Sequence, residues 1–501
     1  MRGRKAFINT VFSTLEEIVS FICGFILPRL ILTAYGSKYN GLIASITQFL
    51  SFAVLLRSGI GGVTRAALYK PLAEKDQDKI NRIVRASDLF MKRVGLILAG
   101  LIVAFAVLCP VFTKDEFSWF FTFSLFIVIG ISKFAESFFG ITYYTVLQAD
   151  QRLWVASLMK TVCYILNTLL GALLIYMGAS IHMVKLGSTL IYVAYPVALN
   201  LYVGRHYRID RRVPPDTRAI SQRWDAFWQE AAVFVMNNTD IMVLTVFTNM
   251  LEVSVYSVYN MVVHGLQRMI YSLTNGLEAA FGNMIAKKEM DALNENLSVV
   301  ENLMYTVSTF LYTSAALLIL GFVRIYTSRV NDVDYIRPLF AYIIILAQFC
   351  SNVRRPYQLV VQAAGHYRQT RNGAIIEPVL NLTLSVILVI RFGMVGVAVG
   401  TLAAAVFRTV QYSHYMRTHI ITGRKWYVTP LRFLVSFCES ALSVWVVQSI
   451  GLAQANDYFT WFFQAVLVCL ICGCITAGGN ALIFPRSRSD TIKKLKAVFH
   501  K

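Results

Sequence analysis

Predominantly apolar segments of about twenty residues recur along the chain, separated by short polar segments. Each apolar segment, with its flanks, is long enough to cross ~30 Å of hydrocarbon as a helix. The pattern predicts fourteen membrane-spanning helices. They lie at about 7–34, 42–69, 94–111, 117–147, 153–177, 182–203, 226–249, 253–285, 298–323, 337–364, 373–390, 394–416, 430–450 and 459–484.

Composition supports the same fold class. Of the 501 residues, 56% are hydrophobic and 15% are charged, and the mean hydropathy is +0.57. A soluble protein would carry roughly 25% charged residues. The sequence therefore predicts an all-α polytopic membrane protein.

The net charge of +20 has its origin in the loops. With both termini inside, the cytoplasmic segments carry about thirty Lys and Arg and the external ones roughly six, as the positive-inside rule requires. The sequence has no basic soluble domain that could bind a DNA or RNA duplex, so the charge does not indicate nucleic-acid binding. We expect a multi-pass protein of the bacterial cytoplasmic membrane with both termini cytoplasmic.

Two pairs of segments match at nearly the same separation. AALYKPLAEKDQDKIN (66–81) matches AAFGNMIAKKEMDALN (279–294), and YYTVLQA (143–149) matches YQLVVQA (357–363). Internal duplication in a hydrophobic chain is typical of transporters. Six predicted spans separate the copies, and an even number keeps them in the same orientation. We therefore expect two six-helix lobes as a parallel repeat, followed by two extra helices.

The predicted division of the chain follows from the repeat. It comprises an N-lobe at 1–203 (spans 1–6), a cytoplasmic linker at 204–225, a C-lobe at 226–416 (spans 7–12), and spans 13–14 with a basic cytoplasmic tail at 417–501. Pro214-Pro215 in the linker favours an extended conformation.

Charged residues inside the spans are the candidate functional residues, because a charge in hydrocarbon costs several kcal/mol unless it faces a partner or water. The candidates for a substrate-binding cavity are Arg57, Lys133, Arg268, Arg29, Arg65 and Arg354. The candidates for ion coupling or charge pairing are Asp240, Glu136, Glu278 and Glu377. The cationic majority suits an anionic ligand such as a phosphate-bearing lipid head group.

Simpler interpretations stay open for some of these charges. Arg29, Arg65 and Glu377 lie near enough to span ends to reach an interface. Lys133 and Glu136 are three residues apart on one helix face, so they are also placed to neutralise each other.

Enzymatic chemistry is not indicated. The chain has no Gly-rich phosphate loop and no HExxH, and its external loops are too short for the catalytic residues of a membrane glycosyltransferase. The cysteines at 469, 472 and 474 lack a second ligand pair, so we expect no metal and no cofactor. Transport would instead be coupled to a proton, sodium or the membrane potential.

Several segments resemble bacterial polysaccharide flippases of the Wzx type, in the multidrug/oligosaccharidyl-lipid/polysaccharide exporter superfamily. They are the first helical hairpin with its GxGG at 59–62 and LYKPLAEKD at 68–76, TDIMVL at 239–244 and VVQAAGHYRQ at 360–369. The resemblance covers about residues 1–416.

The resemblance implies two lobes around a central cavity that opens alternately to each side. It implies a substrate of undecaprenyl-pyrophosphate-linked oligosaccharide, moved to the outer leaflet for cell-surface polysaccharide synthesis. Arg57 is similar to a cavity arginine of lipid II flippases, and Asp240 resembles an acidic position of many polysaccharide flippases. A multidrug exporter and a peptidoglycan-precursor flippase of the same superfamily are the alternatives. We expect a monomer that contacts membrane lipids, with a polysaccharide polymerase and glycosyltransferases as possible partners.

The topology is testable by single-cysteine labelling in a cysteine-free background. Reagent added from outside should reach cysteines placed near Asp115 and Asp457 and should not reach those near Asp78 or Arg211, because the first pair lies in predicted external loops. Labelling of the second pair in intact cells would overturn the orientation.

Overall fold

The computed structural model describes residues 2–55, 60–113, 116–221, 234, 238–272, 274, 277–451 and 455–483. Helices and turns account for all regular structure in these ranges, which confirms the all-α class. The first helices are α1 (Arg2–Tyr35), α2 (Ser37–Val54), α3 (Ile60–Glu74), α4 (Gln77–Thr113), α5 (Trp119–Ala135), α6 (Ile141–Ala149), α7 (Leu153–Tyr176) and α8 (Ile181–His206).

The helices of the later part of the chain follow the same plan. They are α9 (Asp240–Phe247), α10 (Met250–Ser272), α11 (Leu277–Ala286), α12 (Met290–Tyr326), α13 (Pro338–Val353), α14 (Arg355–Ala363), α15 (Tyr367–Phe392), α16 (Met394–His419), α17 (Val428–Ile450) and α18 (Tyr458–Ile483). A π-helical turn, Glu136–Gly140, joins α5 to α6, and a 3-10 turn, Arg218–Ile220, follows α8.

Ten helices in the described ranges are long and apolar enough to cross a membrane. The other predicted spans are divided between shorter helices or lie partly outside those ranges. The predicted span 42–69 is shared by α2 and α3, 253–285 by α10 and α11, and 337–364 by α13 and α14. Residues 226–249 are described only from 238 onward, apart from 234.

Helix boundaries recur along the chain at the separation of the sequence repeat. Helices α4 and α12 each contain 37 residues, α8 and α16 each contain 26, and α6 and α14 each contain 9. In each pair the later helix starts 213 or 214 residues after the earlier one. The backbone therefore carries the predicted internal repeat beyond the segments where the sequences match.

The two copies of the first matching segment end in the same helix cap. Lys75 has φ 57° and Lys288 has φ 59°, the left-handed region that few non-glycine residues adopt. The Asp76 amide donates to the Pro71 carbonyl at 3.0 Å, and the equivalent Glu289 amide donates to Met284 at 2.9 Å. Both are the long-range bond of a Schellman motif, which closes a helix C-terminus.

A second pair of caps follows the other matching segment. Gln151 has φ 55° and its equivalent, Gly365, has φ 70°. The next amides, of Arg152 and His366, donate to the carbonyls five residues earlier at 2.8 and 3.2 Å. One copy thus uses glycine where the other holds a glutamine in the same backbone conformation.

The chain separates into two compact units, Met1–Ser254 and Val255–Lys501. The division lies inside α10, because residues before it pack within the first unit. Ser45 hydrogen-bonds Thr245 at 2.7 Å and Asn40 donates to Ser254 at 2.9 Å. Gly41 lies directly against the Met250 carbonyl, where a side chain would not fit.

Each unit has tightly packed helices. In the first, Leu68, Val84, Val146 and Leu199 form a fully buried apolar cluster between α3, α4, α6 and α8. In the second, α15 and α16 approach closely at glycines: a Cβ on Gly400 would lie 2.9 Å from the backbone nitrogen of Ser385. Small residues that allow close approach are a common device of membrane helix pairs.

We predict that Gln151→Gly stabilises the protein, because a left-handed residue with a side chain costs about 1 kcal/mol that glycine avoids. Gln148→Gly, within α6, should instead destabilise by about 1 kcal/mol. Thermal unfolding in detergent should rank Gln151→Gly above the wild type and Gln148→Gly below it. A lower unfolding temperature for Gln151→Gly than for Gln148→Gly would contradict the helix cap assigned to Gln151.

Candidate functional site

The break in the tenth predicted span places an arginine inside the second unit. Helix α13 ends at Val353 and α14 begins at Arg355, followed by Pro356, which has no amide hydrogen to continue a helix. Arg354 occupies the junction and is 5% exposed. The sequence Arg354-Arg355-Pro356 accounts for this interruption.

Glu377 of α15 binds Arg354 and a second arginine, Arg408 of α16. An amino group of Arg354 donates to one carboxylate oxygen, and Nε of Arg408 lies 3.3 Å from the other. Arg408 also donates to the Tyr412 hydroxyl at 2.6 Å and to the Thr370 carbonyl at 3.3 Å. All three charged side chains are nearly fully buried. The triad carries one excess positive charge, and its hydrogen bonds offset part of the cost of burying it.

A second buried carboxylate, Glu301 of α12, is held by two further arginines. Arg424, in the turn after α16, ion-pairs with it, and Nε of Arg432 on α17 lies 3.3 Å from the same oxygen. The Tyr357 hydroxyl donates to the other oxygen. Arg424 also donates to Asn294 at 2.8 Å. The network fixes the polypeptide after α16 to helices α12, α14 and α17.

The first unit contains residues at the repeat-equivalent positions of that network. Asp88 is equivalent to Glu301, Tyr143 to Tyr357, and Arg211 to Arg424. The Arg211 guanidinium lies 5.6 Å from the Tyr143 ring centroid. Asp88 is paired instead with Lys92 on its own helix, at 3.0 Å. The duplication has therefore preserved an acid, a tyrosine and an arginine, while the ion pairs differ.

The Arg354–Glu377–Arg408 triad has no counterpart in the first unit, where Gly140, Cys163 and Tyr195 occupy the equivalent positions. A different charged cluster lies nearby. Lys160 of α7 is 3.6 Å from a carboxylate oxygen of Glu16 on α1, and its ammonium lies 5.8 Å from the Tyr195 ring centroid.

Lys133 and Glu136 form the ion pair that their spacing allows. Lys133 Nζ is 3.9 Å from Glu136, with side chains 37% and 34% exposed. Glu136 opens the π-helical turn that joins α5 to α6. Such turns are frequent at functional sites in helices, and this half-exposed pair remains accessible to a ligand.

The remaining predicted residues in the described part of the chain lie on separate helices, α1, α3, α9, α10 and α11. Asp240 begins α9, where its carboxylate complements the positive end of the helix dipole. Half-buried positions are occupied by Arg29, Arg65 and Asp240, and exposed positions by Arg268 and Glu278. Arg57 lies outside the described residues.

Besides Asp88, the structure buries four charged residues that were not among the candidates: Glu301, Arg408, Arg432 and Glu439. These four lie inside predicted spans, so the rule that selected Arg57 would also have selected them. The repeat adds a second signal, since Glu301 is equivalent to the acidic Asp88. In the part of the chain that the structure describes, no group of three or more His, Cys, Asp or Glu could hold a metal ion.

No protein-family model and no curated protein sequence matches this chain. Solved structures do. The lipid II flippase MurJ in its inward closed conformation is 14% identical, with TM-score 0.70 over 93% of this chain and 98% of that one. An inward-facing multidrug resistance MATE family transporter of the MOP superfamily is 13% identical, with TM-score 0.63 over 83% and 98%.

A eukaryotic MATE transporter, AtDTX14, is 12% identical, with TM-score 0.58 over 82% of this chain and 95% of that one. These likenesses show that the chain has the fold shared by MurJ and the MATE transporters.

Removing Glu377 should be far more damaging than removing Glu136. Glu377→Ala leaves two buried guanidinium groups without their carboxylate, a loss of about 3–5 kcal/mol. Glu136→Ala breaks a half-exposed pair worth less than about 1 kcal/mol. Thermal unfolding of the purified variants in detergent measures the loss of stability in each. Equal unfolding temperatures for the two variants would refute the structural role of the triad.

Proposed function

We propose that the protein is a flippase that translocates undecaprenyl-pyrophosphate-linked oligosaccharide across the cytoplasmic membrane by alternating access, for cell-surface polysaccharide synthesis. The observation that carries the proposal is the fold, which matches a lipid II flippase over 93% of the chain. The resemblance of the first hairpin, TDIMVL and VVQAAGHYRQ to polysaccharide flippases supports the choice of substrate.

The charges within the spans suit a pyrophosphate ligand. Arg268 is exposed on α10, as a cavity-lining residue must be, and Lys133 is half exposed beside the π-helical turn. With Arg57 they would supply positive charge to the substrate, and Arg29 and Arg65 lie at half-buried positions within α1 and α3. Arg354 is committed to Glu377, so we assign it to holding the interrupted tenth span rather than to direct contact with substrate.

A peptidoglycan-precursor flippase is the second candidate, favoured by the TM-score of 0.70 to MurJ. A multidrug exporter is disfavoured because the candidate cavity charges are cationic more often than anionic. Deleting the gene and identifying which lipid-linked sugar accumulates on the cytoplasmic face distinguishes the two flippase functions.

We place the protein in the bacterial cytoplasmic membrane, as a monomer driven by a proton, sodium or the membrane potential.

Arg57→Ala should abolish transport while leaving membrane insertion and abundance unchanged, and Arg57→Lys should retain part of the activity. Arginine presents a bidentate fork to phosphate, whereas lysine supplies a point charge. Flipping is measured by lectin or enzyme access to the glycan in intact cells. The matched control is Arg212→Ala, which removes an exposed arginine from the loop after α8. If the Arg57→Ala variant transported at the wild-type rate, Arg57 would not be a substrate-binding residue.

A further inference from the structure

A polar seam runs through the second unit where α17 packs against α12. Arg432, Ser436, Glu439 and Ser443 of α17 recur every three or four residues and are each at most 5% exposed. This spacing places them on one face of the helix. Helix α17 belongs to the pair that follows the duplication, and its outer face is apolar.

Hydrogen bonds across the seam are short and specific. Thr309 of α12 donates to Ser436 at 2.8 Å, and Thr313 bonds Ser440 at 2.7 Å. At one end, Arg432 reaches Glu301 at 3.3 Å. The seam therefore begins at the Glu301 network and continues along α17 to its middle.

Glu439 lies at the centre of α17 with an amide as its partner. The Asn480 amide of α18 donates to both carboxyl oxygens, at 2.9 and 3.1 Å. Gly479 leaves the space that the carboxyl group occupies. Within the described residues, no lysine, arginine or histidine forms an ion pair with Glu439, in contrast to Glu301 and Glu377.

The buried titratable groups on the packed helices are few. Helix α12 contributes Glu301, Tyr305, Tyr312 and Tyr326, α18 contributes Cys472, and α17 itself contributes Arg432. Arg432 is seven residues from Glu439, about 10 Å along the helix axis, and is already bound to Glu301. A carboxyl group in the middle of an apolar helix, with one amide donor and no cation, is costly when ionised and well accommodated when protonated.

We propose that Glu439 is a proton-binding site built by α17 and α18. A hydronium ion gives its proton to the carboxylate and leaves as water; release reverses the step. The coupling of this proton to substrate movement rests on the proposed function, whereas the proton binding does not. The site thus gives the two helices beyond the repeat a role in energising transport.

The test is infrared difference spectroscopy of the full-length protein in liposomes, stepped between acidic and alkaline pH. Wild-type protein should show a protonated-carboxyl stretching band that is lost in Glu439→Gln, a variant that keeps a hydrogen bond to Asn480. Asn480→Ala should move the band to higher frequency, because the carboxyl loses its amide partner. Glu295→Gln, at an exposed carboxyl on α12, is the matched control and should keep the band.

A band that persists in Glu439→Gln would overturn the proposal. So would a band that responds to replacing sodium with choline at constant pH, because that result identifies a sodium site. A band lost in Glu439→Gln supports proton binding even if no lipid-linked glycan is moved. Proton uptake by vesicles that is driven by substrate, and lost in the same variant, then establishes the coupling.

Discussion

A charge within an apolar helix needs a partner or water, and in the second unit two buried carboxylates meet that requirement by binding arginines. Glu377 and Glu301 each bind two arginines from different segments of the second unit, so each carboxylate ties those segments together. Removing either carboxylate leaves two buried guanidinium groups uncompensated. Arg354 illustrates the consequence: the α13–α14 junction is fixed by an ion pair at the point where Pro356 prevents helix continuation.

The duplication shows which features the backbone requires and which it leaves variable. Helix lengths and Schellman caps recur, even where one copy has Gln151 and the other Gly365. Charges do not recur in the same way. Asp88 keeps the acidic position of Glu301 but pairs with Lys92 on its own helix. Backbone geometry has been retained while the electrostatics of the two copies have diverged.

Much of the architecture could be predicted from the sequence, because hydrophobic segment length and loop charge are local properties. The repeat, the interruption at Arg354 and the Lys133–Glu136 pair follow from spacing within one or two helices. Pairings between helices could not be predicted in this way. Arg354 and Glu377 were separately selected but assigned different roles, and Arg408, which completes their triad, was not selected. Their partnership depends on how α13, α15 and α16 pack, and spacing within one helix contains no information on that.

The contrast between Glu439 and the other buried acids separates structural from responsive charges. Glu301 and Glu377 are each neutralised by two guanidinium groups, which remain protonated at any physiological pH. They act as links between the segments that contribute their arginines. Glu439 has an amide, which stabilises either charge state without selecting one permanently. A carboxyl without a guanidinium partner can take up a proton without breaking an ion pair. The described part of the chain does so at the centre of α17, on helices that lie outside the duplication.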